Sequence, residues 1–135
     1  MGTKIDAVKH LINCWERRDI DAVLACLTDD VEYYWHIGSR PVRGKDTMRK
    51  FLNNYSGSYE QKRWDIFNHA ENGDLLLVEG HEELWDNEHQ RTIQQPFMQA
   101  FEFSGNLISH WRDYYEPENL TPPAKQAGNA SPARH

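Results

Sequence analysis

"RTIQQPFMQAFEFSGNLISHWRDYYEP", residues 91–117, reads as a β-hairpin, and the contents of its two faces decide the fold. Two runs rich in aromatic and β-branched residues flank the turn residues "SGN". Strand side chains alternate between faces, so Ile93, Phe97, Phe101 and Phe103 share a side with Gln95 and Gln99, while Thr92, Gln94, Met98, Ala100 and Glu102 face away. In the second run Ser109, Trp111, Asp113 and Tyr115 lie on one face; His110, Arg112 and Tyr114 lie on the other. Two amides and a carboxylate therefore interrupt an aromatic wall. Pro96 lies inside the pattern and predicts a local edge or a bulge, because proline has no N–H for the ladder.

Upstream, "QKRWDIFNHA" and "LLLVEGHEELW" read as two more strands, with turns at "ENGD" and "DNEH", which completes an antiparallel meander. Leu76, Val78, Glu82 and Leu84 share one face with Gly80. Leu75, Leu77, Glu79, His81, Glu83 and Trp85 lie opposite. Before the meander the period is helical. Ile5, Val8, Leu11, Ile12 and Trp15 form the stripe of a first helix. Asp19 caps a second helix carrying Ile20, Val23, Leu24 and Leu27, which "TDD" is expected to break; Met48, Phe51, Leu52 and Tyr55 are the buried side of a third. Between the second and third, "VEYYWHIG" alternates as one short strand with Val31, Tyr33, Trp35 and Ile37 on one side. The fold class predicted is α+β: a cone-shaped curved antiparallel sheet, with one short N-terminal strand, wrapped around three N-terminal helices as a cystatin-like roll. A pocket between sheet and helices is expected.

The chain of 135 residues suits a single domain, placed at 1–120, with 121–135 as a disordered tail rich in Pro, Ala, Gly and polar residues. A net charge of −6 with scattered Lys and Arg argues against nucleic acid. No apolar run suggests a membrane span or a secretory signal. Cys14 and Cys26 read as buried small hydrophobes in helices rather than a disulfide, which suits a cytoplasmic protein.

Collected by face, the inward set contains Tyr33, Trp35, Glu82, Gln95, Gln99, Asp113 and Tyr115. Burying an unpaired carboxylate costs several kcal/mol, so something must compensate. Two carboxyl groups in one apolar cavity push their pKa values apart and supply an acid and a base near neutrality. The bland alternative is also open: Asp113 satisfied by Tyr33 or a Gln amide in a structural network, and Glu82 at the wet mouth of the cone. His81, Glu83 and His110 match no strong metal spacing and read as solvated or interface surface, so no metal is expected. His36 could reach the pocket mouth.

The words "RRDIDAVLACLTDDVEYY", "VRGKDTMRKFL" and "ISHWRDYYEP" give the chain a resemblance to the nuclear transport factor two-like superfamily, nearest its SnoaL-like and limonene-1,2-epoxide hydrolase-like branches. The resemblance implies cofactor-independent acid/base chemistry on a small hydrophobic, ring-bearing metabolite. It matches the epoxide hydrolase pattern at Asp113 and Tyr33, replaces the partner carboxylate by Glu82, and puts Trp35 and Gly80 where that pattern has an Asn and a bridging Arg. The ketosteroid isomerase pattern finds Trp35, Leu11 and Gln99 at its key positions and is rejected. The catalytic candidates are thus Asp113, Glu82 and Tyr33, with Tyr33 and Gln99 orienting water or polarising a substrate oxygen. Trp35, His36, Gln95, Phe97, Gln99, Trp111 and Tyr115 are the substrate-binding candidates. A non-catalytic ligand-binding or dimerisation module of the same fold is the alternative. Under either reading a homodimer through the outer sheet face is expected.

Overall fold

In a computed structural model that describes residues 3–120, helix α1 (Lys4–Glu16) begins at a capping box. The Thr3 hydroxyl accepts from the Asp6 N–H at 3.2 Å, and the Asp6 carboxylate accepts from the Thr3 N–H at 3.3 Å. Asp19 caps α2 (Ile20–Ala25) as expected, accepting from the Ala22 N–H at 3.1 Å. The second apolar stripe does not run on to Leu27 as helix. Leu27 instead opens strand β1 (Leu27–Tyr34), and the expected break at "TDD" is extended backbone within it. Pairing explains the difference: the Ile108 N–H donates to the Cys26 carbonyl at 3.0 Å, so ladder bonds draw the chain out of the helix.

The remaining elements are β2 (Val42–Arg43), α3 (Lys45–Ser58), β3 (Tyr59–Asn72), β4 (Leu75–Asp86), β5 (Arg91–Ser104), β6 (Leu107–Tyr114) and a 3-10 turn at Pro117–Leu120. Strands β3 to β6 form the expected antiparallel meander, and β1 joins its far side parallel to β6. The order β2-β1-β6-β5-β4-β3 is a curved, unclosed mixed sheet carrying three helices, an α+β architecture as predicted. The tail predicted for 121–135 lies outside the described residues. No helix among the described residues is long and apolar enough to cross a membrane.

The core lies between the helices and the sheet. Leu11, Leu27, Met48, Leu76, Phe101, Ile108 and Trp111 are all fully buried, each contributing on the order of 1.5–3 kcal/mol. Trp15 on α1 meets Tyr55, Trp64 and Trp111 edge-on at ring-centroid distances of 5.1, 5.8 and 5.5 Å. This aromatic cluster ties α1 to α3, β3 and β6.

Two irregularities in β3 shape the sheet. Gln61 pairs with Leu84 and Arg63 with Glu83, so Lys62 is an extra residue; likewise Ile66 pairs with Gly80 and Asn68 with Glu79, leaving Phe67 extra and 64% exposed. At the second bulge β3 closes onto Gly80. A Cβ there would stand 1.8 Å from the Asp65 carbonyl oxygen and 2.8 Å from the Phe97 ring, so only glycine fits. Pro96 occupies a local edge, because β6 pairing ends at Met98↔Tyr114 and leaves Pro96 with β4 as its strand neighbour. The β4–β5 turn is held by Asp86, 2% exposed, which accepts from the Glu88 and His89 N–H groups at 3.1 and 3.2 Å and from Arg91 Nε at 3.1 Å.

Candidate active site

Register places each inward carboxylate opposite an amide. Strand β5 lies between β4 and β6, Glu82 on β4 faces Gln95 across the ladder, and Asp113 on β6 faces Gln99. Gln95 and Gln99 are four residues apart on one face of β5, roughly 13 Å of strand. The two carboxyl groups therefore act from different walls of the concave side, each with its own amide.

The hydrogen bonds orient every group. Gln99 Nε2 donates to Asp113 Oδ1 at 2.9 Å, Trp111 Nε1 donates to the same oxygen at 2.7 Å, and the Tyr33 hydroxyl donates to Oδ2 at 3.0 Å. Trp64 Nε1 donates to Gln99 Oε1 at 3.3 Å. An indole N–H can only donate, so it fixes which end of the Gln99 amide turns to Asp113. Amides hold Glu82 as well, with Gln95 Nε2 donating to Oε2 at 2.7 Å and Gln61 Nε2 to Oε1 at 3.0 Å. The Asn119 amide donates to Gln95 Oε1 at 3.2 Å and the Tyr55 hydroxyl to Gln61 Oε1 at 3.2 Å, so both glutamines are locked from behind.

These groups line a cavity of ≈ 390 Å³ between α3 and the sheet, with Trp15, Trp64 and Trp111 on its wall and Leu120 of the terminal turn at its rim. Burial pushes the Asp113 carboxyl up, the Glu82 charge pushes it further, and the three donors pull back; the result is about 7. Burial also raises Glu82 above its ordinary range, opposed by Gln61 and Gln95. Tyr33 and Tyr55 are raised well above the usual phenol value, first by burial and then by the nearby carboxylates, and stay neutral. Tyr115 is raised for the same reasons.

Of the residues expected in the pocket, Tyr33, Trp35, Glu82, Gln95, Gln99, Trp111, Asp113 and Tyr115 all line it. Trp35 does so from beyond the end of β1, 39% exposed, rather than from within a strand as its alternation suggested. His36 and Phe97 do not line the cavity. His36 stands behind Tyr115, ring centroids 5.3 Å apart, and Phe97 is a core residue packed edge-on against Trp64 at 6.5 Å. One orienting assignment also changes. The Tyr33 hydroxyl and the Gln99 amide donate to Asp113, so neither is free to polarise a substrate oxygen while those bonds hold. The Tyr115 hydroxyl, on the same wall as Asp113, has no hydrogen-bond partner among the described residues.

Sequence reasoning missed Gln61, Tyr59 and Trp64 as wall residues. Gln61 and Trp64 are three apart, an odd spacing that strict alternation assigns to opposite faces; the bulge at Lys62 brings them to one face. Phe51 and Tyr55, assigned to the buried side of α3, face the cavity as well. His81, Glu83 and His110 are not brought together, since β5 separates β4 from β6. Among the described residues the grouping of potential metal ligands is elsewhere, at His10, Cys14 and Cys26.

The sequence profile of the SnoaL-like domain family matches residues 8–111. Among solved structures, a protein from Xanthomonas campestris pv. campestris provisionally described as a polyketide cyclase superposes with a TM-score of 0.77 at 21% identity, over 85% of this chain and 91% of that one. An LEH-like epoxide hydrolase from M. tuberculosis gives 0.74 at 26% identity, over 87% and 81%. TerC, co-crystallised with polyporic acid, gives 0.71 at 20%, over 84% and 91%. No protein of curated function matches.

Proposed function

The chain belongs to the SnoaL-like domain family, and on that premise we propose that its cavity carries out cofactor-independent acid/base chemistry on a small hydrophobic, ring-bearing molecule. The observation that carries the reading is Asp113: an aspartate inside an aromatic-walled cavity whose pKa sits at about 7. Near neutral pH both of its forms are populated, the condition under which one group can accept a proton and return it.

Asp113 is the general acid or base and Glu82, on the other side of β5, its partner. Tyr33, Gln99 and Trp111 are positioning residues that aim the Asp113 carboxyl, and Tyr115 is the donor for a substrate oxygen. With the carboxyls held by separate amides, the layout suits proton removal at one atom and proton delivery at another. An aldol-type cyclisation, an isomerisation and a dehydration all need that. Epoxide opening needs the acid on the epoxide oxygen while the base activates a water. The similarity to an epoxide hydrolase and to a protein provisionally described as a polyketide cyclase makes those two substrate classes the ones to screen first. The test is incubation with panels of cyclic epoxides and of phenolic or quinonoid ring compounds, followed by mass spectrometry. Conversion by the natural protein and none by Asp113→Asn is expected; equal conversion by both defeats the assignment.

A second reading has its own observation. Asp113 already accepts three protein donors and Glu82 two, as in a structural network that only shapes a ligand-binding pocket. It predicts a ligand recovered unchanged, with substitutions at Asp113 altering affinity alone.

We take residues 1–120 as one domain. Free Cys14 and Cys26 support a reducing, cytoplasmic location. Phe67, Met98 and Tyr114, exposed together around one shallow hollow of the outer sheet face, support a homodimer there.

A further inference from the structure

The two cysteines of the chain, Cys14 within α1 and Cys26 at the end of α2, come together with a histidine on the α1–α2 hairpin. We propose that His10, Cys14 and Cys26 form a binding site for a thiolate-seeking cation of the zinc type, separate from the cavity. His10 and Cys14 are four residues apart, so α1 presents both on one side. Cys26 is the C-cap residue of α2 and reaches the same point from the second helix.

Distances fit the chemistry. The imidazole nitrogen and the two sulfurs lie within 4.8 Å of one another, and His10 Nε2 stands 3.6 Å from Cys14 Sγ. A zinc ion holding a thiolate at about 2.3 Å and an imidazole at about 2.0 Å in tetrahedral geometry sets those atoms roughly 3.6 Å apart. The His10–Cys14 edge is therefore already at bonding geometry, and closing the site asks only for a small movement of Cys26. Its sulfur now donates to the Ala22 carbonyl at 3.4 Å, a weak bond to exchange for a metal–sulfur bond.

The surroundings also match. Cys14 is fully buried, Cys26 half-buried and His10 exposed, so the sulfurs are shielded while the open side faces solvent and leaves the fourth position for water. Arg17 Nη2 donates to Cys14 Sγ at 3.6 Å, the kind of N–H···S contact that offsets thiolate charge around a metal. On binding, each thiol releases its proton to solvent as its metal–sulfur bond forms; no electrons are exchanged. Two sulfurs and one imidazole select against Mg2+ and Ca2+, which take oxygen ligands.

The test uses the full chain, reduced and metal-free, titrated with Co2+ as a spectroscopic probe and then with Zn2+ alone. The chain has two cysteines and no others, so any thiolate-to-cobalt charge-transfer absorption reports this site and no stray histidine. A charge-transfer band that saturates at one equivalent, collapses when Zn2+ is added, is lost in Cys26→Ser and needs about tenfold or more Co2+ in His10→Ala supports the proposal. His10 is exposed, so that variant folds. Absence of the band in the reduced protein overturns it, as does a band that His10→Ala leaves unchanged. Zn2+ should raise Tm in the natural protein and not in Cys26→Ser; an equal rise in both also overturns it.

Discussion

Replacing Asp113 by Asn should alter the pH dependence of stability, leaving the two proteins most alike at low pH and furthest apart at high pH. An unfolded aspartate titrates near ~3.9, whereas in the cavity burial and the Glu82 charge raise Asp113 to about 7. The folded state holds the proton more tightly, so between those values it binds more protons than the unfolded chain. Stability from this group is therefore complete below about pH 4 and is lost as pH rises through about 7. A rise of some three pH units corresponds to about 4 kcal/mol, a large part of what holds a domain of this size folded. Asparagine keeps the shape. Its oxygen can still accept from Gln99 and Trp111, and its amide can donate to the Tyr33 oxygen. Urea unfolding of both proteins at several pH values between about 4 and 8 gives two curves of stability against pH. The natural protein should lose ground toward high pH relative to Asp113→Asn, by as much as about 4 kcal/mol. The raised Glu82 titrates in both and cancels to first order. Curves that run parallel would refute the buried, raised aspartate and the chemistry built on it.

Glu82→Gln removes the charge that helps raise Asp113, so its titration, followed by carboxyl-carbon NMR, should move to lower pH; an upward move or none contradicts the coupling. Trp64→Phe deletes the donor that fixes the Gln99 amide and should raise Asp113 further while leaving the aromatic packing in place, read by the same spectra. Asp86→Ala removes the carboxylate that the Glu88 and His89 N–H groups, the His89 ring and Arg91 share in the β4–β5 turn and should cost about 2–3 kcal/mol, measured by urea unfolding; a loss below about 0.5 kcal/mol would contradict a buried role. Met98→Lys on the outer sheet face should shift a dimer to monomer in light scattering without lowering Tm, and a natural protein already monomeric at high concentration would dispose of the dimer.

Alternation carried most of the cavity wall, because β4 and β5 keep one register throughout and β5 and β6 keep one from Met98↔Tyr114 to Glu102↔His110, the stretch that holds Gln99, Trp111 and Asp113. Gln95, Gln99, Trp111, Asp113 and Glu82 were readable for that reason. It failed where the ladder slips: a single extra residue at Lys62 rotates Gln61 relative to Trp64 and puts both on the concave side. No local composition marks that slip. The parallel pairing of β1 with β6 was also hidden, since it joins residues some eighty positions apart, and β1 accordingly took over Leu27 from the predicted helix. The orienting bonds on Asp113 were not legible either. Alternation says which face a side chain occupies and nothing about which oxygen its neighbour's proton will find.

Gly80 makes the amide-based arrangement hard to undo. The epoxide hydrolase pattern needs an arginine there, and the main chain of Asp65 together with the Phe97 ring already fills the volume its first carbon would need. The obstruction comes from the Phe67 bulge on a neighbouring strand, so a designer wishing to install the arginine would have to delete a residue from β3 and reset its register before changing position 80. A lineage drifting one substitution at a time meets the same obstacle: an intermediate with the side chain but not the new register carries that clash with the Asp65 main chain. The strand beside the site, rather than the site, thus acts as a ratchet on the chemistry this chain can explore.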